Sequence, residues 1–178
     1  MPMTYKELRK LFWKVTASIV SDTVKNPNKF VRMDYPTDGQ PDWQMEDNIV
    51  FLNLMERDDQ YGQQYDSEYT TSKDGTVIRH RGRTRVWELL ITAYGPDAYE
   101  MANKIRDDVL TERVHALLSK NAVFLIPDVP LCRQVPELFA GRWWTRWDLV
   151  LHFNEWHEAM PEDVGHIDSA IITGSAHG

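Results

Sequence analysis

Arginine occupies every second position from Arg79 through Arg81 and Arg83 to Arg85, in the run Val77-Ile78-Arg79-His80-Arg81-Gly82-Arg83-Thr84-Arg85. Two is the side-chain period of an extended strand, so a strand through this run carries all four guanidinium groups on one face. If Gly82 turns the chain instead, the four crowd around one hairpin tip. Either way a concentrated positive stripe sits on a chain whose formal net charge is −7. It calls for a negative partner: DNA, another protein, or a second copy of the same chain.

A length of 178 residues is most simply one domain, residues 1–178. A domain of this size buries roughly 70% of its unfolded surface and needs no metal or disulfide to fold. With 42% hydrophobic and 26% charged residues the composition is that of an ordinary globular protein. Cys132 is the only cysteine, which excludes an intramolecular disulfide and a cysteine-based zinc site. No apolar run reaches the roughly 18 residues of a membrane span, and Lys6, Glu7, Arg9 and Lys10 spoil the order of a signal peptide. The expected location is a cytoplasm, unless the protein leaves as part of a larger particle. Overall acidity argues against a dedicated nucleic-acid binder.

Thr4 and Glu7 have the spacing of a capping box. The apolar stripe Leu8, Leu11, Phe12, Val15 and Ile19 then predicts a helix over 4–24, stopped by Asn26-Pro27-Asn28. A short strand is expected over 30–34, a turn-rich segment over 35–41, and a strand buried on both faces over 49–55. Residues 56–74 are polar and lack hydrophobic periodicity, which predicts a long loop, either functional or disordered. Segments 77–81 and 84–94 read as a long antiparallel strand pair. Gly95-Pro96-Asp97 starts a helix with Pro at its first position and with Ala98, Met101, Ala102, Ile105 and Val109 as the buried stripe. Residues 111–119 continue it or form a second short helix, and 122–126 is a strand. Trp147, Leu149, Leu151 and Phe153 alternate with polar positions, the pattern of a half-buried antiparallel strand. A last strand is expected over 167–173 and a flexible tail over 174–178. The order predicts an α+β fold: one mainly antiparallel, mixed sheet with two main helices packed on it.

Three stretches together resemble the neck and tail terminator (tail completion) proteins of tailed bacteriophages. One is Ile91-Thr92-Ala93-Tyr94-Gly95-Pro96-Asp97-Ala98 ahead of a helix. Another runs from Val135-Pro136-Glu137-Leu138-Phe139 through Arg142-Trp143-Trp144 to Leu149, leading into Phe153-Asn154. The third is Val31-Arg32-Met33-Asp34, then Trp43 and a strand ending at Leu54. The resemblance rests on the succession of these pieces over roughly residues 4–173. It implies a homohexameric ring at the head-proximal end of the tail, which stops tube polymerisation and joins the tail to the head in the neck of the virion. The implied partners are copies of itself, the tail tube protein, the head–tail connector or adaptor proteins and the tail sheath protein, with genomic DNA passing through the lumen unheld. No enzymatic activity, cofactor, metal or membrane is implied. Assembly in the host cytoplasm precedes incorporation in the virion.

Candidate interface residues come from the chain itself. The arginine stripe is either a solvated face or a contact for the acidic, tyrosine-rich segment of a neighbour: Asp58, Asp59, Tyr61, Tyr65, Asp66, Glu68 and Tyr69. A ring makes head-to-tail contacts, so two different surfaces of one chain must be complementary. DNA contact in the channel is the alternative, a nucleic-acid-binding module using Arg79 to Arg85. Trp143 and Trp144 are adjacent, so on an extended backbone they point to opposite faces; either both belong to the core, or one is presented outward as an interface anchor or as cover for residues 135–140. His152, Glu155 and His157 lack zinc-site spacing. An unrecognised hydrolase site around His152 and Asp148 is a further alternative, which pocket geometry decides.

Overall fold

The computed structural model describes residues 3–165, apart from residues 25, 35, 37, 38, 40 and 41. The expected strand over 167–173 and tail over 174–178 lie outside the described residues. The first helix, α1 (Tyr5–Ile19), opens on a complete capping box: Thr4 accepts from the Glu7 amide, and the Glu7 carboxylate accepts from the Thr4 amide at 2.8 Å. It ends at Ile19 rather than Val24. Ser21, Asp22 and Thr23 bond locally, as short polar side chains do, while Val20 and Val24 still bury in the turn that follows. A single turn, α2 (Pro27–Phe30), has Pro at its first position and leads into β1 (Val31–Met33).

Then follow β2 (Ile49–Arg57), one turn of 3-10 helix (Tyr61–Gln63), β3 (Asp66–Thr71), β4 (Val77–Tyr94), α3 (Ala98–Asp108) and α4 (Glu112–Ser119). The remainder is all strand: β5 (Val123–Leu125), β6 (Arg133–Gln134), β7 (Glu137–Phe139), β8 (Arg142–Trp144), β9 (Arg146–Glu158) and β10 (Glu162–Gly165). The main sheet runs β1-β2-β4-β9-β5, with β3 and β10 flanking the first part of β4 and β6 beside β9. Among the described strands only β1–β2 is parallel. The fold is therefore α+β on a mixed, mostly antiparallel sheet. The N–H of Asp97 donates to Asn48 Oδ1 at 3.0 Å, and Asn48 Nδ2 donates to Asp97 at 2.7 Å. Asp97 is thus the residue before α3, and Pro96 lies outside the helix rather than at its first position.

Two further expectations need correction. Segments 77–81 and 84–94 are one unbroken 18-residue strand rather than a hairpin pair. Gly82 does not turn the chain, because ladder partners hold it on both sides: Asp66 of β3 and Glu158 of β9. A Cβ at Gly82 would come within 2.1 Å of the Trp156 ring, so glycine here makes room for an aromatic laid across the strand. Likewise the polar stretch 56–74 is not a loop. It holds the end of β2, a helical turn and all of β3, which pairs antiparallel with β4 from Thr71↔Val77 to Asp66↔Gly82.

One face of the sheet carries the core. Val50, Leu52 and Leu54 of β2, Trp87, Leu89, Ile91 and Ala93 of β4, and Leu149, Leu151 and Phe153 of β9 bury beneath α1, α3 and α4. Phe12 of α1 packs on Phe153 with ring centres 4.7 Å apart. Among the described residues no helix is long and apolar enough to cross a membrane.

Candidate assembly surfaces

At about 3.4 Å per residue β4 is about 60 Å long, longer than the helical layer can cover. Its last nine residues, paired with β2 and β9, form the domain's sheet. Its first part projects as an arm between β3 and β10. Period two then makes the arginine stripe continuous with the core face: inward positions 93, 91, 89 and 87 are succeeded by Arg85, Arg83, Arg81 and Arg79.

The four arginines are matched within the chain to a degree that falls along the arm. Arg85 donates to both oxygens of Glu155, at 3.0 and 2.9 Å, and Trp87 Nε1 donates to the same carboxylate at 2.7 Å. Glu155 is 1% exposed, the deepest carboxylate of this face. Arg83 donates to Glu56 at 3.1 Å and to the Gly62 carbonyl at 3.0 Å, and lies 5.8 Å from the centre of the Tyr65 ring. Arg81 reaches Glu162 only at 3.7 Å. Arg79 donates to the Ser67 hydroxyl at 3.2 Å, and its Nε, like that of Arg81, has no hydrogen-bond partner among the described residues. Beside Arg83 sits His157, whose imidazole is held below its usual range by burial and then by Arg85.

The tyrosine-rich segment lies against these arginines in the same chain. Tyr65 and Tyr69 are more than half exposed, and Tyr69 pairs with Arg79 and shares its face. Asp66 and Glu68 pair with Gly82 and His80, which turns them to the opposite face of the arm. Asp58 accepts from Gln63 at 2.8 Å, Asp59 is half-buried just before the helical turn, and Tyr61 begins that turn.

At the far end of β4, a two-stranded hairpin (β7–β8) turns through Ala140 and Gly141, both at positive φ. Trp143 is 68% exposed beside its cross-strand partner Leu138, and Phe139 is similarly exposed. Trp144 turns inward onto Trp43, ring centres 4.7 Å apart. The hairpin is tied to the sheet by charge. Tyr94 donates to Glu137 at 2.6 Å, and Arg146 bridges Glu137 at 3.1 Å and Asp148 at 2.9 Å. The Tyr94 hydroxyl, then Arg146, holds the Glu137 carboxyl below the usual range. Burial, then Glu137, pushes the Tyr94 phenol up.

Sequence reasoning missed Glu155, Glu56, the tie at Glu137 and the exposed Leu138 and Phe139. Glu155 had a signal: it follows Leu149, Leu151 and Phe153 in the apolar phase. The hydrolase alternative finds no support in the geometry. His152 contacts Arg57 at 2.9 Å and Glu88 at 3.2 Å, while Asp148 is taken up by Arg146. Among the described residues no three His, Cys, Asp or Glu side chains converge as a metal site. The Cys132 thiol is pushed up by burial, the state of an unreactive thiol.

A family model described as phage neck terminator protein matches residues 6–177. Among solved structures, a sheath/tube terminator of the extracellular contractile injection system PVC, determined by cryo-EM in its extended state, superposes with a TM-score of 0.50 at 14% identity. The match takes in 100% of this chain and 65% of that one, so the chain spans just under two thirds of its structural neighbour. No curated protein matches.

Proposed function

The chain belongs to the phage neck terminator protein family, and from that premise we propose that it is a virion structural protein which forms a homohexameric ring at the head-proximal end of the tail. As one domain it ends tail-tube polymerisation on one ring face and receives the head–tail connector on the other, with a tail sheath protein as a further neighbour. It carries out no catalytic step, assembles in the host cytoplasm and remains in the neck of the virion. Recognition is by surface complementarity, and DNA slides through a lumen that does not hold it.

The observation that carries the reading is the placement of two unlike exposed surfaces at opposite ends of one strand: the arginine- and tyrosine-bearing arm, and the hairpin with Leu138, Phe139 and Trp143. Head-to-tail closure needs two such surfaces on each chain, and outward aromatic side chains are the usual anchors of an interface. Arg79, Arg81, Arg83, Arg85, Asp58, Asp59, Tyr61, Tyr65, Asp66, Glu68, Tyr69, Trp143 and Trp144 remain the interface candidates. Arg85 and Trp144 act from within, by fixing the root of the arm and the seat of the hairpin. A duplex-binding role for the arginines is disfavoured, since Arg85 and Arg83 already hold carboxylates.

Light scattering across concentration and salt tests the ring. The expected species is six times the 20.8 kDa chain, in solution or on added tail tubes. A protein that stays monomeric in both settings overturns it.

A further inference from the structure

The arm is two-faced in charge. On the face shared with the core, Arg79, Arg81 and Arg83 outnumber the two carboxylates beside them, Glu56 and Glu162, with Tyr65 and Tyr69 exposed among them. The opposite face follows from the register. Asp66 and Glu68 of β3, Glu158 at the end of β9 and Asp163 of β10 all align with even-numbered residues of β4, and only His80 stands among them. Four carboxylates therefore oppose one histidine on a sheet a single residue thick.

Resting on the ring reading above, we propose that neighbouring copies stack their arms face to back, the arginine–tyrosine face of one against the carboxylate face of the next. A basic front and an acidic back on the same element are complementary only between different faces. That generates a directional head-to-tail contact and disfavours a two-fold one, in which like charges would meet. Arginine suits the role: among the described residues the Arg81 guanidinium comes no nearer a carboxylate than Glu162 at 3.7 Å and Arg79 donates only to the Ser67 hydroxyl, whereas Arg85 is bidentate to Glu155. Three strands about 4.8 Å apart over six residues offer only about 300 Å² per face. A stable contact needs about 800 Å² per partner. Arm stacking therefore sets the direction and spacing of subunits, and the rest of the interface lies on the body of the fold.

The test is charge reversal in two separate chains. R79E/R81E makes both arm faces acidic, and D66R/E68R/D163R, which leaves only Glu158 against three arginines on the back, makes both basic. Each alone should need roughly tenfold or more protein to half-assemble than the wild type, because like charges meet at every contact. An equimolar mixture should recover wild-type assembly, and native mass spectrometry should find rings of three copies of each, alternating. Near-ultraviolet circular dichroism of each variant checks that it is folded. Unchanged assembly of either variant alone, or a folded pair whose mixture does no better than its parts, overturns the arm contact and leaves the ring standing. A wild type that never associates, free or on tail tubes, sinks the ring reading and this one with it.

Discussion

Two halves of a single strand are built on opposite principles. Residues 86–94 of β4 alternate with period two, and their inward side chains bury under helices; residues 77–85 keep the same period but place arginine at every inward position after Val77. The first half is held by apolar burial, which is non-directional and tolerates remodelling. The second is held by ladder hydrogen bonds and ion pairs, directional but individually weak at the surface. Their meeting point is the Arg85–Glu155–Trp87 cluster, where the core ends in a buried charge pair. A sheet built this way keeps a rigid body and exports a charged blade.

The largest contrast should come from truncating one residue in each half. Phe153→Ala removes a fully buried ring that packs on Phe12 and should cost about 3–5 kcal/mol. Tyr69→Ala on the arm should stay within about 0.5 kcal/mol, since Tyr69 is 59% exposed. Urea unfolding of both variants checks this; comparable losses would mean that the arm has a core of its own.

The junction comes next. Glu155→Ala leaves Arg85 without its carboxylate, for which the cost of a broken buried pair, about 3–5 kcal/mol, is the reference. The lower end, about 3 kcal/mol, is expected because the Arg85 side chain retains 12% exposure and can turn toward water. Replacing both partners with Leu and Met should recover most of the loss. If Glu155→Ala alone is neutral, the cluster does not join the two halves.

The body of this fold was legible in sequence because burial writes a period. The α1 stripe from Leu8 to Ile19 and the alternation from Trp147 to Phe153 each have a wet side and a dry side. In β3 all six residues are exposed, so neither face is marked by apolar residues and period two leaves no trace. That is why 56–74 reads as loop. Gly82 misled for a related reason. Its role is set by Trp156, 74 positions later, and local turn chemistry carries no information about such a neighbour. Of the candidate surfaces, the arginine stripe was visible as a stripe. Its cis partners were not, because strand register decides whether Glu68 joins Arg79 or turns away from it.

Acid should separate the regions in order. His157, at the root of the arm, has a folded-state pKa below the ordinary 6.5. It binds its proton more weakly folded than unfolded, so its contribution is present above 6.5 and is lost as pH falls toward the folded value. Glu137, at the hairpin end, is held below 4.5, so its contribution is present above that value and is lost only as pH falls through the lower folded one. The root of the arm should therefore loosen first, between neutral and mildly acidic pH, and the hairpin only in strong acid. Proton-exchange rates of the amides in 77–85 and 137–144, followed by NMR across pH, check the order. Reversal of that order would mean that the hairpin, not the arm, is the labile end.

The smallest effect expected is a gain. Ala140 sits at φ 50° and Gly141 at φ 74°, the two left-handed positions of the tight turn joining β7 to β8. An L-residue with a Cβ loses about 1–2 kcal/mol in that region, and asparagine tolerates it better than alanine by local hydrogen bonding. Ala140→Asn should stabilise the fold by about 0.5–1 kcal/mol, seen as a small rise in Tm, while leaving Leu138 and Trp143 exposed as before. The effect is confined to one end of the strand, so it distinguishes hairpin from arm in assembly as well. A stiffer hairpin that improves docking on tail tubes without changing free ring formation would assign the aromatic end to the tube and the charged arm to the neighbouring subunit. Equal effects on both would mean that the two ends of β4 serve a single contact.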